Sequence, residues 1–221
     1  MSIHCPRYFI KAALLILIVT TGVDRVAAQT VPPLSGNDLV QALREGGFNI
    51  YFRHAATDWS QSDKVGARDD WLSCDSSRMR QLSADGRQTS IDIGNAMRAL
   101  ELPIGKVMAS PYCRTVETAQ LMQLGAVEAT TDVMNLRVAS YFGGRGAIID
   151  TAQMRLSTRP AVGTNAVIVA HGNVAQAATP VYPGEGEAVI FRPDGNGGFQ
   201  YIARIAPQGW SRIIKQVTQN E

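Results

Sequence analysis

Three short stretches of the chain carry residues that could do chemistry together. FRHAATD (52–58) sets Arg53 and His54 side by side after an apolar run, ASPYCR (109–114) ends on Arg114, and VIVAHG (167–172) delivers His171. A guanidinium is a planar fork of donors that matches phosphate oxygens. An imidazole can donate a hydrogen bond or, unprotonated, attack as a nucleophile. Two of each around one point would suit a dianion, phosphate above all. Taken singly, each has a plainer explanation: a histidine at a strand end is usually satisfied by nearby backbone, and an arginine on a helix is usually a solvated charge. The conjunction outweighs these, because three apolar segments end in the same way, with a polar and potentially cationic residue at the start of a loop.

The elements that must position these residues can be read around them. FNIYFRH, KVMAS (106–110) and NAVIVAHG (165–172) are strand-like, rich in β-branched and apolar residues. In open α/β sheets ligands bind just beyond the carboxyl ends of strands. If these strands are neighbours, Arg53, His54, Arg114 and His171 meet at one edge. Arg114 would also open the helix RTVETAQLMQLG, whose first N–H groups favour an anion. Asn37 is a candidate N-cap for the helix NDLVQALREGG, which Gly46 and Gly47 end. From Ser83 to Leu100 the spacing predicts a helix with Ile93, Ala96, Met97 and Leu100 on one face. EAVIFRP and FQYIARI flank DGNGG and read as a hairpin. Strands alternating with helices predict a layered α/β domain. Residues 57–81 form a polar connection with Asp58, Asp63, Asp69, Asp70, Asp75, Trp59 and Trp71. At about 25 residues it is longer than ordinary connections, which marks a functional lid or a mobile surface loop.

The first segment stands apart. Arg7 and Lys11 precede the apolar run AALLILIV (12–19), and Val26 and Ala28 are small residues before a cleavage point. This pattern predicts a secretory signal peptide over residues 1–28, with a single domain over 29–221. The apolar run is shorter than the ~20 residues of a spanning helix. Without the leader, the 21 basic and 19 acidic residues become 18 of each. A formally neutral chain gives no sign of a nucleic-acid partner. Only His54 and His171 remain of the histidines, and Cys74 and Cys113 of the cysteines. In an oxidising envelope compartment the pair fits one disulfide or two free thiols.

The segments resemble the histidine phosphatase superfamily, which includes the phosphoglycerate mutase-like enzymes. FRHAATD is similar to its RHG motif, LSADGRQTSIDIGNAM to its LTxxGxxQA helix, ASPYCRTVETA to its SxxxRxxxTA segment, and VIVAHGN to its second-histidine motif. Order and spacing agree from about residue 48 to 205, and an envelope-targeted subgroup with RHA in place of RHG is the most similar. The resemblance implies a layered α/β fold with a mostly parallel central sheet and helices on both faces. It implies hydrolysis of a phosphate monoester through a phosphohistidine on His54, without a metal or organic cofactor. Arg53, Arg114 and His171 would hold the phosphoryl oxygens, and Thr57 would add a hydroxyl. The substrate would be a phosphorylated small molecule or, by analogy with the subgroup, an envelope sugar phosphate, and the location the periplasm. A phosphomutase is the other enzyme reading; a periplasmic phosphate-binding protein without turnover is the non-catalytic one.

The chain departs from that pattern in two places. Ala55 replaces the RHG glycine, and Val138 stands where phosphoglycerate mutase-like members carry a glutamate as general acid. Glu187, soon after His171, is the substitute candidate for the proton donor, with Asp58 and Glu185 behind it. CDSSRMR (74–80) matches the C-x5-R spacing of cysteine-dependent phosphatases, but it follows no buried strand and its loop has no glycine; the match is coincidental. Arg145, in the glycine-rich YFGGRGA, reads as a solvated loop residue. Trp59 and Trp71 are free to stack on a sugar, cap a pocket or pack the long connection down.

Overall fold

The computed structural model describes Met1 and residues 33–219. Apart from Met1, the leader expected at residues 1–28 lies outside them. Among the described residues six strands form one sheet: β1 (Asn49–Arg53), β2 (Ile104–Ala109), β3 (Val127–Ala129), β4 (Asn165–Ala170), β5 (Ala188–Pro193) and β6 (Phe199–Ile205). Their spatial order is β3-β2-β4-β1-β5-β6. The first four of that order run parallel, β5 is antiparallel to β1, and β6 is antiparallel to β5. The sheet is therefore mixed, with the DGNGG hairpin forming one edge.

Helices α1 (Gly36–Glu45), α2 (Ala84–Ala99), α3 (Cys113–Met122), α4 (Arg145–Ser157), α5 (Gly172–Ala178) and α6 (Gly209–Thr218) cover both faces. One core layer joins Leu39, Val40 and Leu43 of α1, Ile93 and Met97 of α2, Met122 of α3 and Trp210 of α6 to Ile50, Phe52, Val167 and Val169 of the sheet. The other joins Ile148, Ala152 and Leu156 of α4 and Val174 of α5 to Tyr51, Ile168 and Ala170. Alternate residues of β1 and β4 thus enter opposite layers, as the two-residue period of a strand requires. β4 is buried along its whole length, which is why its sequence is an almost unbroken apolar run.

The predicted α2 face, Ile93, Ala96, Met97 and Leu100, is buried. α1 starts at Gly36 with Ser35 rather than Asn37 as N-cap, and ends at Gly46, whose φ of 82° suits a residue without Cβ. The YFGGRGA stretch is a junction: Gly143 and Gly144 take φ of 77° and 96°, and the exposed Arg145 begins α4.

The 57–81 connection is an ordered strap folded back on itself. Thr57 bridges Leu82, Asp58 N donates to Gln81 O at 3.1 Å, and Lys64 N donates to Arg78 O at 2.8 Å. Cys74 and Cys113 are disulfide-bonded, joining the strap to the first residue of α3. Trp71 packs it down between Tyr141 and Phe142, each 5.3 Å away between ring centres.

Candidate active site

Parallel strands bring the chemistry to one edge. In register, Arg53 of β1 lies beside Ala170 of β4, and Ala109 of β2 lies beside Val169. The residues just beyond, His54, His171 and Ser110, are then neighbours: His54 N donates to Ala170 O at 2.9 Å and Ser110 N to Val169 O at 3.0 Å. Arg114 follows as the second residue of α3. A cavity of about 150 Å³ collects Arg53, His54, Arg114 and His171, together with Trp59, Asp63, Arg80, Arg137, Asn135 and Asn173.

His54 is 3% exposed, and its Nδ1 lies 2.9 Å from the Ala55 carbonyl oxygen. A carbonyl only accepts, so Nδ1 carries the proton and Nε2 keeps its lone pair. Burial, and after it the Arg114 guanidinium, hold this imidazole well below its usual pKa range. It is therefore neutral in the free protein at mildly acidic pH. The loop that carries it is fixed from α2: Ser83 N donates to Ala56 O at 3.0 Å, and Gly86 packs so close that a Cβ there would lie 2.0 Å from that oxygen. Gly86 of the LSADGRQT stretch is thus a contact requirement for placing His54.

His171 is likewise buried and held neutral, by desolvation first and then by Arg114 and His54. Its backbone is clamped by the Tyr51 hydroxyl, which donates to His171 O at 2.8 Å. Its Nε2 sits 3.0 Å from Ser110 Oγ, while its buried Nδ1 has no partner among the described residues. In the tautomer that accepts from Ser110 at Nε2, Nδ1–H is a donor for an oxyanion in the cavity. The two imidazole centres are 5.7 Å apart.

Arg114 is 1% exposed, lies over the Tyr112 ring, and is paired end-on with Asp63, Nη1–Oδ1 2.9 Å and Nη2–Oδ2 3.1 Å. Arg53 reaches the Pro183 carbonyl at 3.3 Å and Glu185 at 3.4 Å. The Thr57 hydroxyl donates to the same Glu185 oxygen at 2.9 Å, so Thr57 supports the Arg53 side from the adjoining groove. Arg80 stands 4.0 Å over the Trp59 ring, and its buried Nε has no partner among the described residues. Four guanidiniums, set against Asp63 in the cavity and Glu185 beside Arg53, leave an excess of two positive charges. A dianion balances it.

Glu187 is not brought to this cavity. Its carboxylate is gripped by Arg204 of β6 through two hydrogen bonds of 2.6 Å and accepts from Gly184 N at 2.8 Å. The Arg204 bonds keep it below the usual glutamate range, as an ionised structural partner rather than a proton donor. Asp58 bonds Ser60 and Gln61 and lines only the adjoining groove of about 760 Å³, as does Glu185. Val138 is buried in the core. Arg80, Arg137, Asn173 and Asp63 are among the cavity residues that the strand-end pattern misses. Arg80 and Asp63 lie in the aperiodic strap, and Arg80 belongs to the very CDSSRMR segment whose cysteine spacing is coincidental.

No family model matches the chain, and no curated protein matches it in sequence. Solved structures do match in fold. The protein histidine phosphatase SixA complexed with tungstate superimposes with a TM-score of 0.52 and 15% identity, covering 73% of this chain and 97% of that one. A phosphoserine phosphatase from Entamoeba histolytica, in complex with 3-phosphoglyceric acid, gives 0.48 and 13%, covering 74% and 98%. The architecture shared with the SixA structure is a layered α/β fold.

Proposed function

We propose that this protein is a phosphate monoester hydrolase that works through a phosphohistidine on His54. The observation that carries this is the neutral, oriented Nε2 of His54 in a buried cavity with two positive charges in excess. A monoester dianion would be held by Arg53, Arg80, Arg114 and His171 Nδ1–H. His54 Nε2 then attacks phosphorus: the P–N bond forms, the P–O bond breaks, and the leaving oxygen departs as an alkoxide or phenolate that takes its proton from water. Guanidiniums aimed at the three equatorial oxygens stabilise charge that builds in the transition state. Water then cleaves the P–N bond, giving inorganic phosphate and free His54. No step in this scheme calls for a metal or an organic cofactor. The leader pattern supports action in the periplasm, and the wide groove beside the cavity offers room for the substrate's organic part.

One observation favours a second reading, a periplasmic phosphate-binding protein: Glu187 is tied to Arg204, and the one carboxylate in the cavity is in an ion pair. Hydrolysis of para-nitrophenyl phosphate by wild type and by His54→Ala separates the two. Turnover by wild type, lost by at least about 10³-fold in the variant, is the result expected of a covalent nucleophile. Phosphate binding with no turnover by wild type would leave the binding-protein reading.

A further inference from the structure

Asp63 is the one carboxylate among the residues lining the cavity, and the reaction above gives it no part. We infer that Asp63 is a positioning residue for Arg114: it holds the far end of the guanidinium so that the side edge, Nε–H and one Nη2–H, is presented to the phosphoryl group. This rests on the phosphatase reading of the same site and specifies how its most buried cation is aimed.

The donors can be counted. A guanidinium carries five N–H groups. Asp63 accepts one from Nη1 at 2.9 Å and one from Nη2 at 3.1 Å, and the Arg80 carbonyl accepts from Nη1 at 3.3 Å. What remains is Nε–H and one Nη2–H, which lie parallel on one edge of the plane. Nε is buried and has no partner among the described residues. Two parallel donors on one edge are the arrangement that matches two oxygens of a phosphoryl group.

Asp63 is itself held firmly. Its side chain is 5% exposed and that of Arg114 2%, and the Arg80 N–H donates to its Oδ1 at 3.1 Å. Across the strap Gln81 N donates to Gln61 Oε1 at 2.9 Å, and the Cys74–Cys113 disulfide ties the strap to the residue preceding Arg114. Two other roles fit less well. A carboxylate that took the place of phosphate would cover the donors phosphate uses, yet the side edge is left open. A proton donor would need an oxygen turned to the leaving group, yet both oxygens of this carboxylate are already taken up by N–H donors from Arg114 and the Arg80 backbone.

The test uses the purified protein as wild type and with Asp63→Asn, Arg114→Lys and the double variant. Inorganic phosphate is titrated calorimetrically, and hydrolysis is followed for para-nitrophenyl phosphate and for an alkyl phosphate. Asp63→Asn is expected to weaken phosphate by about 10- to 100-fold and to lower kcat/KM for both esters by one common factor. In the Arg114→Lys background it should cost little more, because a lysine has no edge to orient. Should the amide variant fail to fold, Asp63→Glu, which displaces the carboxylate by a methylene, is expected to show the same common loss. Unchanged or tighter phosphate binding, a loss confined to the alkyl ester, or full additivity with Arg114→Lys would each overturn the inference while leaving the phosphatase reading intact. A wild type that neither binds nor hydrolyses phosphate esters would overturn both.

Discussion

At the scale of single residues, the site depends on keeping two histidines uncharged among four arginines. Burial is the first cause for both, and the guanidinium field the second. A consequence follows for the pH profile. An exposed histidine would lose its nucleophilic nitrogen below about pH 6.5, whereas His54 keeps it. The acid limb of kcat/KM should therefore follow the second ionisation of the substrate, near pH 6. It should move when the ester is exchanged for one with a more acidic phosphate. A limb fixed near 6.5 for every ester would contradict the assigned state of His54. Arg53, His54, Arg114 and His171 were legible in sequence because each sits at or just past the end of an apolar strand or in the turn after it. The proton-donor candidate Glu187 was not correctly placed by such reasoning. A turn at Gly184–Glu187, with Gly186 at φ 72°, puts Glu185 against Arg53 and Glu187 against Arg204. Sequence distance from His171 carries no information about that turn.

At the scale of elements, strands β1, β2, β4, β5 and β6 and helices α1, α2 and α3 follow from their sequence patterns. The strap does not. It has no period, and its path is set by a disulfide, by hydrogen bonds between its own limbs, and by Trp71 packing under Tyr141 and Phe142. That is why Asp63 and Arg80, separated by 17 positions, meet only in three dimensions. The disulfide closes a loop over a sequence separation of 39 residues. Chain-entropy reasoning gives it about 3–4 kcal/mol of stabilisation. Cys74→Ser should lower the melting temperature by roughly 6–16 °C at the usual conversion for a domain of this size. It should also weaken phosphate binding, since Arg80 and Asp63 lose their anchor. Melting that shifts with no change in phosphate affinity would show that the strap keeps its course without the covalent tie.

At the scale of the whole molecule, a functional edge is built into a mixed sheet whose two faces are both covered, so both histidines are almost wholly buried at the floor of the cavity. Folding keeps His54 and His171 neutral, while in the unfolded chain they titrate near 6.5. Below that value the unfolded chain binds protons that the folded protein refuses, so stability is full above about pH 7 and falls as the pH drops. Each histidine contributes a slope of up to about 1.4 kcal/mol per pH unit. Denaturant midpoints at pH 7, 6 and 5 should decline accordingly; a flat stability across that range would mean that one of the buried imidazoles accepts a proton in place. The central claim concerns a covalent bond, and trapping it tests that claim most directly. The protein is mixed with para-nitrophenyl phosphate, quenched without acid, and mapped by peptide mass spectrometry. The result predicted is a phosphoryl group on His54, absent from His54→Ala along with turnover. Steady turnover by a His54→Ala protein, or a phosphoryl group on another side chain, would contradict it.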